Sequence, residues 1–144
     1  PDNRRAVDFG MLRVMLAEPA GPSPDLSQDK LRLLAAGLAA RRERADLFAK
    51  GEYLPLEITS TGRAGLVAYA RTRDGDAAIV LVPRLSASLV PESGRWAETV
   101  IELPPSLAGR TYRDALSRRA VEAAGQLRPG DILTGQQGAL LVSW

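Results

Sequence analysis

The apolar positions of this chain change their period once, at Gly51. Before it the spacing is helical. Phe9, Leu12, Met15 and Leu16 fall on one face of a helix over Val7–Ala17, with Asp8 as its cap and Gly10 as a weak point. Three prolines and a glycine within Glu18–Pro24 predict a loop or linker after it. A second, longer helix then starts at Asp25, with Gln28 three residues on in a capping-box-like arrangement. Leu31, Leu34, Ala35 and Leu38 follow the i, i+3, i+4, i+7 rule and form its apolar stripe. Arg41, Arg42 and Arg44 crowd its far end, where cations suit the negative end of the helix dipole. A turn over residues 45–50 leads to Gly51, placed as a helix C′ glycine.

Beyond Gly51 short apolar runs alternate with turn signals. Tyr53 to Ile58, Leu66 to Thr72, Ala77 to Val82, Thr99 to Leu103, Thr111 to Ala115, Ala120 to Leu127 and Ala139 to Trp144 read as strands. Asp74-Gly75, set between two of them, is the strongest hairpin signal of the chain. Several short strands at such spacing indicate an antiparallel sandwich or barrel. The expected class is α+β: two N-terminal helices in residues 1–50, then an antiparallel β-sandwich domain in residues 51–144. Two helices are too few for a bundle, so they read as outer helices of a larger α/β body.

Composition narrows the chemistry more than it narrows the fold. The 144 residues include no Cys and no His. Disulfides, thiolate catalysis, a Ser-His-Asp triad, an HExxH zinc site and a Cys/His zinc finger are therefore impossible within them. The lack of Cys fits a reducing cytoplasm. Net charge is only +2, from 19 basic and 17 acidic residues. The basic residues are nearly all arginines, scattered as Arg4/Arg5, Arg41/Arg42/Arg44, Arg71/Arg73 and Arg118/Arg119. A nucleic-acid binder concentrates such charge on one face with aromatics between, so no nucleic-acid partner is expected. No run approaches the ~18 apolar residues of a membrane span, so no membrane partner is expected either. Gly62-x-x-Gly65 and Gly135-x-x-Gly138 lack the Gly-Lys-Ser/Thr of a phosphate loop, and no cofactor or metal is indicated.

The specific wording of the chain goes further. It opens Pro1-Asp2-Asn3-Arg4-Arg5-Ala6-Val7-Asp8 and continues through Leu38-Ala39-Ala40-Arg41-Arg42 and Leu47-Phe48 to Gly51-Glu52-Tyr53-Leu54-Pro55-Leu56. Val67-Ala68-Tyr69-Ala70-Arg71, Val82-Pro83-Arg84-Leu85 and Trp96-Ala97-Glu98-Thr99 follow in order. Together these resemble the C-terminal segment of the maltooligosyltrehalose synthases of the α-amylase superfamily. Two departures stand out. Ala6 replaces the family's Pro after Arg-Arg, and Glu43-Arg44-Ala45 replaces a common Arg-x-His-Pro turn.

The resemblance implies a (β/α)8 barrel upstream, capped by the C-terminal sandwich, and an isomerase-type reaction. The reducing-end α-1,4 linkage of a maltooligosaccharide becomes α,α-1,1 by intramolecular transglucosylation, with a trehalose-releasing hydrolase as a further partner. Retaining glycoside chemistry needs two carboxyl groups about 5–5.5 Å apart. No such pair is recognisable here: Asp2/Asp8, Glu52/Glu57 and Asp74/Asp76 read as cap, turn or surface acids, so the catalytic carboxylates are expected upstream. Asn3, Arg4 and Arg5 are the expected substrate-binding residues, since guanidinium forks and a carboxamide suit sugar hydroxyls. Among the aromatics Trp96, Tyr53, Tyr69, Tyr112 and Trp144, the loop residue Trp96 is the best placed to stack on a pyranose. Three other readings stay open: a free-standing carbohydrate-binding module using Trp96 or Trp144, a basic domain using Arg41/Arg42/Arg44, and another amylase-like enzyme.

Overall fold

The computed structural model describes residues 7–17, 26–60, 65–84, 96–134, 136 and 138–143. Its elements run α1 (Phe9–Ala17), α2 (Leu26–Glu43), α3 (Ala45–Lys50), β1 (Glu52–Pro55), β2 (Glu57–Ser60), β3 (Leu66–Arg73) and β4 (Asp76–Pro83). They continue with β5 (Thr99–Glu102), β6 (Arg110–Asp114), β7 (Ala120–Ala123), β8 (Gln126–Leu127), α4 (Pro129–Ile132) and β9 (Ala139–Ser143). The strands make a six-stranded sheet, β1-β3-β4-β9-β6-β7, and a three-stranded sheet, β2-β5-β8. Every pairing is antiparallel.

Two segments expected as single strands are each divided between the sheets. The run Tyr53 to Ile58 splits at Leu56: β1 borders the large sheet and β2 the small one. Leu56 at the crossing is buried, and its N–H still bonds the Ala68 carbonyl at 3.1 Å. Pro55 lies in β1, an edge strand, where a missing N–H costs no internal ladder bond. The run Ala120 to Leu127 splits likewise into β7 and β8 around Gly125, whose φ of 119° only glycine adopts readily. The chain thus passes between sheets at both edges of the large one.

The main core lies between the sheets. Leu66, Ala68 and Ala70 of β3, Ala77, Ile79 and Leu81 of β4, and Leu141 of β9 meet Ile101, Leu103 and Leu127 from the opposite side. Tyr112 of β6 is fully buried here, its hydroxyl donating to the Leu107 carbonyl at 3.0 Å. That bond back to upstream backbone is the tyrosine-corner device of β-sandwiches. Asp74 (φ 48°) and Gly75 (φ 89°) close the β3–β4 hairpin with two successive positive φ angles, as the Asp-Gly signal required.

A second, smaller core forms on the outer face of the large sheet. There Ala40 of α2 and Leu47 of α3 pack on Ala78 of β4 and Leu140 of β9. Residues 45–50, expected as a turn, are the short helix α3. Gly51 ends it with φ −62° and ψ 148°, not in the left-handed conformation of a C′ glycine. Glycine is needed for a different reason: a Cβ would collide with the Leu47 carbonyl oxygen. The apolar stripe of α2 is not the side that meets the sheet, and its Leu31 and Ala35 are half-buried. Leu34 and Leu38 are 60% and 55% exposed, while Ala40, on the other side of the helix, is buried against the sheet. Asp8 caps α1 as expected, accepting from the Met11 N–H at 2.9 Å. Asp25 lies outside the described residues.

Candidate functional site

Asn3, Arg4 and Arg5, the residues expected to meet substrate, lie outside the described residues, as does Trp144. Trp96 is 9% exposed and belongs to the main core. Its carbonyl accepts the Thr99 N–H at 3.0 Å, and Gly130 of α4 backs onto it: a Cβ there would stand 3.6 Å from the Trp96 Cβ. Trp96 thus packs in the core with little exposed surface. Tyr112 is likewise interior, and its burial raises the phenol pKa, a nearby Arg110 charge opposing the rise. Tyr53 is different. It is 59% exposed, and its ring lies 5.0 Å from that of Tyr69 at an interplanar angle of 33°.

Of the acids read in sequence as cap, turn or surface groups, Asp2 lies outside the described residues, Glu52 and Glu57 are exposed, and the others have such uses. Asp8 caps α1, and Asp74 forms the hairpin tip. Asp76 receives the Arg44 guanidinium, Nη1 lying 3.2 Å from both carboxylate oxygens. Glu102 accepts the Gln126 amide at 3.0 Å, and Glu122 the Thr111 hydroxyl at 2.9 Å. Asp46 pairs with Lys50 one turn on, which lowers its pKa through the hydrogen bond and the charge. Among the described residues no group of three or more acids is placed to hold a metal ion.

Two polar features escaped the sequence reading. The first is Asp114, 1% exposed at the end of β6. Its Oδ1 accepts the N–H groups of Leu116 (3.2 Å) and Leu140 (3.3 Å). Its Oδ2 accepts the Ser117 N–H (3.0 Å), the Ser117 hydroxyl (2.5 Å) and the Gln136 amide (3.4 Å). One carboxylate so joins the β6–β7 turn to β9. The signal available in sequence was Asp114-x-x-Ser117, an acid followed by a hydroxyl at turn spacing. The second is Arg44, which besides Asp76 reaches the Ser143 carbonyl at 3.4 Å, while the Ser143 hydroxyl accepts the Ala77 N–H at 2.9 Å. Arg44 is therefore a tie between helix and sheet, whereas its neighbours Arg41 and Arg42 are exposed.

A concavity of about 750 Å³ lies at the β7–β8 edge beside α4. Glu102, Arg119, Glu122, Gln126 and Asp131 line it, a mixed polar wall without an aromatic platform. No described helix is long and apolar enough to cross a membrane.

No family model matches the chain. Individual proteins do. Maltooligosyl trehalose synthases from two Mycobacterium tuberculosis strains are each 35% identical to it over 117 residues, 81% of this chain. The match spans only 13% of those relatives' length. The structure of maltooligosyltrehalose synthase from Arthrobacter ramosus superposes on all of this chain with a TM-score of 0.78 at 28% identity. A point mutant of the same enzyme gives 0.79, and in both cases 18% of the solved chain is covered. The ordered motifs, the antiparallel two-sheet fold and these relatives agree: the chain belongs to the maltooligosyltrehalose synthase family, of whose members it spans a segment.

Proposed function

We propose that this chain is the C-terminal part of an enzyme that converts the reducing-end α-1,4 linkage of maltooligosaccharides to α,α-1,1 by intramolecular transglucosylation. The observation that carries this reading is the superposition of the entire chain on a small fraction of a solved synthase, 100% against 18%. The chemistry belongs to the longer chain. Retaining transfer needs two carboxyl groups about 5–5.5 Å apart across the scissile bond. Of the acids described here, Asp8 caps a helix, Asp76 pairs with Arg44, Asp114 holds a turn and Glu102 accepts the Gln126 amide. In a (β/α)8 barrel such carboxylates project from strand ends at the C-terminal face.

Residues 51–144 act as a structural cap on that barrel, and α1 and α2 belong to its outer layer. Asn3, Arg4 and Arg5 form part of the active-site rim, where two guanidinium forks orient sugar hydroxyls or a neighbouring carboxylate. Trp96 contributes by packing. The product carries no reducing end, so a hydrolase that releases trehalose from it is the natural partner.

The test incubates a linear maltooligosaccharide with the full-length chain and, separately, with the 144 residues alone. Loss of reducing ends without release of glucose is expected from the first and not from the second. A full-length chain that leaves reducing ends intact sinks the reading. Arg4→Ala and Arg5→Ala in that chain should each lower kcat/KM about 10–100-fold, the loss of one or two charge-assisted hydrogen bonds in the transition state. Wild-type kcat/KM in both would remove these residues from the rim. Micromolar maltooligosaccharide binding by the 144 residues alone would favour a carbohydrate-binding module.

A further inference from the structure

We propose that the uncovered part of the large sheet's outer face, built by Tyr53, Val67, Tyr69 and Val82, is an interface within the longer chain, covered by the rest of the synthase. This rests on the reading above, and it names the surface through which the segment is held. In β3, Leu66, Ala68 and Ala70 point into the sandwich core, which leaves Val67, Tyr69 and Arg71 on the outer face. The register sets Tyr69 beside Val80 and Val67 beside Val82, with Tyr53 of β1 opposite Arg71.

Val80 already packs beneath the helices, in the second core with Ala40 and Leu47. The patch therefore continues, along the same strands, a face that the helical layer has begun to cover. Past that layer Val67 and Val82 are each 40% exposed and Tyr53 is 59% exposed. A solvent-facing side of an antiparallel sheet normally alternates to polar residues, and strands apolar on both sides are those buried on both sides. Here β3 and β4 put valines and a tyrosine outward as well as leucines, isoleucine and alanines inward.

Helix α2 shows the same two-sidedness. Ala40 meets the sheet, while Leu34 and Leu38 on the opposite flank stand 60% and 55% exposed. A helix apolar on both flanks is one placed between two bodies. The occupant follows from the size of the relatives, since 18% of a solved synthase accounts for this whole chain. A large body is thus available to cover the apolar surface that this segment leaves open.

Hydroxyl-radical footprinting of the wild-type protein tests this without any substitution. Tyr53 should label readily in the 144-residue chain, where it is 59% exposed. In the full-length chain, burial at an interface core should cut its labelling at least about fivefold. Val67→Lys with Val82→Lys provides the second measurement. It should shift the melting temperature of the 144-residue chain by less than about 3 °C, as a surface change does. It should restore Tyr53 labelling in the full-length chain. Equal Tyr53 labelling in both wild-type chains overturns the proposal. So does a 144-residue chain that dimerises and loses the dimer with the lysines, which assigns the patch to a second copy. Protection of Tyr53 by maltooligosaccharide in the 144-residue chain overturns it in favour of a sugar platform. Reducing-end loss, measured in the same full-length preparation, reports on the proposed function independently of the labelling.

Discussion

Replacing Asp114 should be among the most damaging single changes in the β-rich part, although the residue touches no proposed substrate. Its carboxylate is 1% exposed and accepts five hydrogen bonds from the β6–β7 turn, Gln136 and β9. Asp114→Ala leaves the buried Leu140 N–H without an acceptor, at a cost of about 1–3 kcal/mol. The Leu116 and Ser117 donors are only partly buried, so water recovers part of their loss. The sum is about 3–5 kcal/mol, near the upper limit for a single substitution. For a chain of this size that corresponds to a fall in melting temperature of about 10–18 °C. Asp114→Asn keeps the shape but turns an amide NH2 toward backbone N–H groups whichever way it is placed, and should cost about 2–4 kcal/mol. Ser117→Ala removes one donor and leaves the acceptor otherwise satisfied, at about 0.5–1.5 kcal/mol. Urea unfolding followed by far-UV circular dichroism gives all three differences from the shift in midpoint at constant slope. An Asp114→Asn protein within about 0.5 kcal/mol of wild type, the range of an ordinary surface change, would refute the reasoning.

Gly51→Ala should destabilise by at least about 2 kcal/mol in the same assay, because its Cβ meets a backbone carbonyl that cannot swing away; a neutral result would show that the α3–β1 junction relaxes. The Arg44–Asp76 pair, 36% and 43% exposed, should show a coupling below about 1 kcal/mol in a double-mutant cycle. Burial raises the Tyr112 pKa above 10.0 when folded, so the unfolded chain ionises first. Its contribution is therefore complete below pH 10 and is lost as pH climbs through the folded value, with a slope of at most ~1.4 kcal/mol per pH unit. Stability measured between pH 9 and 11.5 should show that decline, and Tyr112→Phe should flatten it; an unchanged slope in the variant would assign the decline to other groups.

Period and turn chemistry located nearly every strand, because each signal is local. Asp74-Gly75 closes its hairpin with two positive φ angles, and β3, β4, β6 and β9 lie within a residue or two of their apolar runs. What local signals do not carry is the choice of sheet. Tyr53 to Ile58 reads as one strand, yet it belongs to two, since nothing in an apolar run says which neighbour its hydrogen bonds will reach. The side of α2 that meets the sheet was illegible for a related reason. The leucines give the stronger periodic signal, but the sheet accepts the alanine side, whose small residue permits close approach at Ala40. The same limit holds at the site. Trp96 has the residue type of a sugar platform and the position of a loop residue, and only tertiary packing against Gly130 makes it interior.

That mismatch on α2 also carries the functional argument. Taken as an isolated unit, the chain spends its alanine side on the sheet and leaves Leu34, Leu38, Phe9 and Val14 facing water, the last two 69% and 64% exposed. Sequence period alone pointed to those leucines as core. Both statements hold if, as proposed, the core these leucines serve belongs to the rest of the longer chain and not to the sandwich. A module that works alone has no use for a helix apolar on two flanks beside a sheet apolar on two faces. A segment of a larger enzyme does, because each such surface then has a body on either side. The local sequence is consistent throughout with one folded state, and on the proposed reading that state is reached in the longer chain.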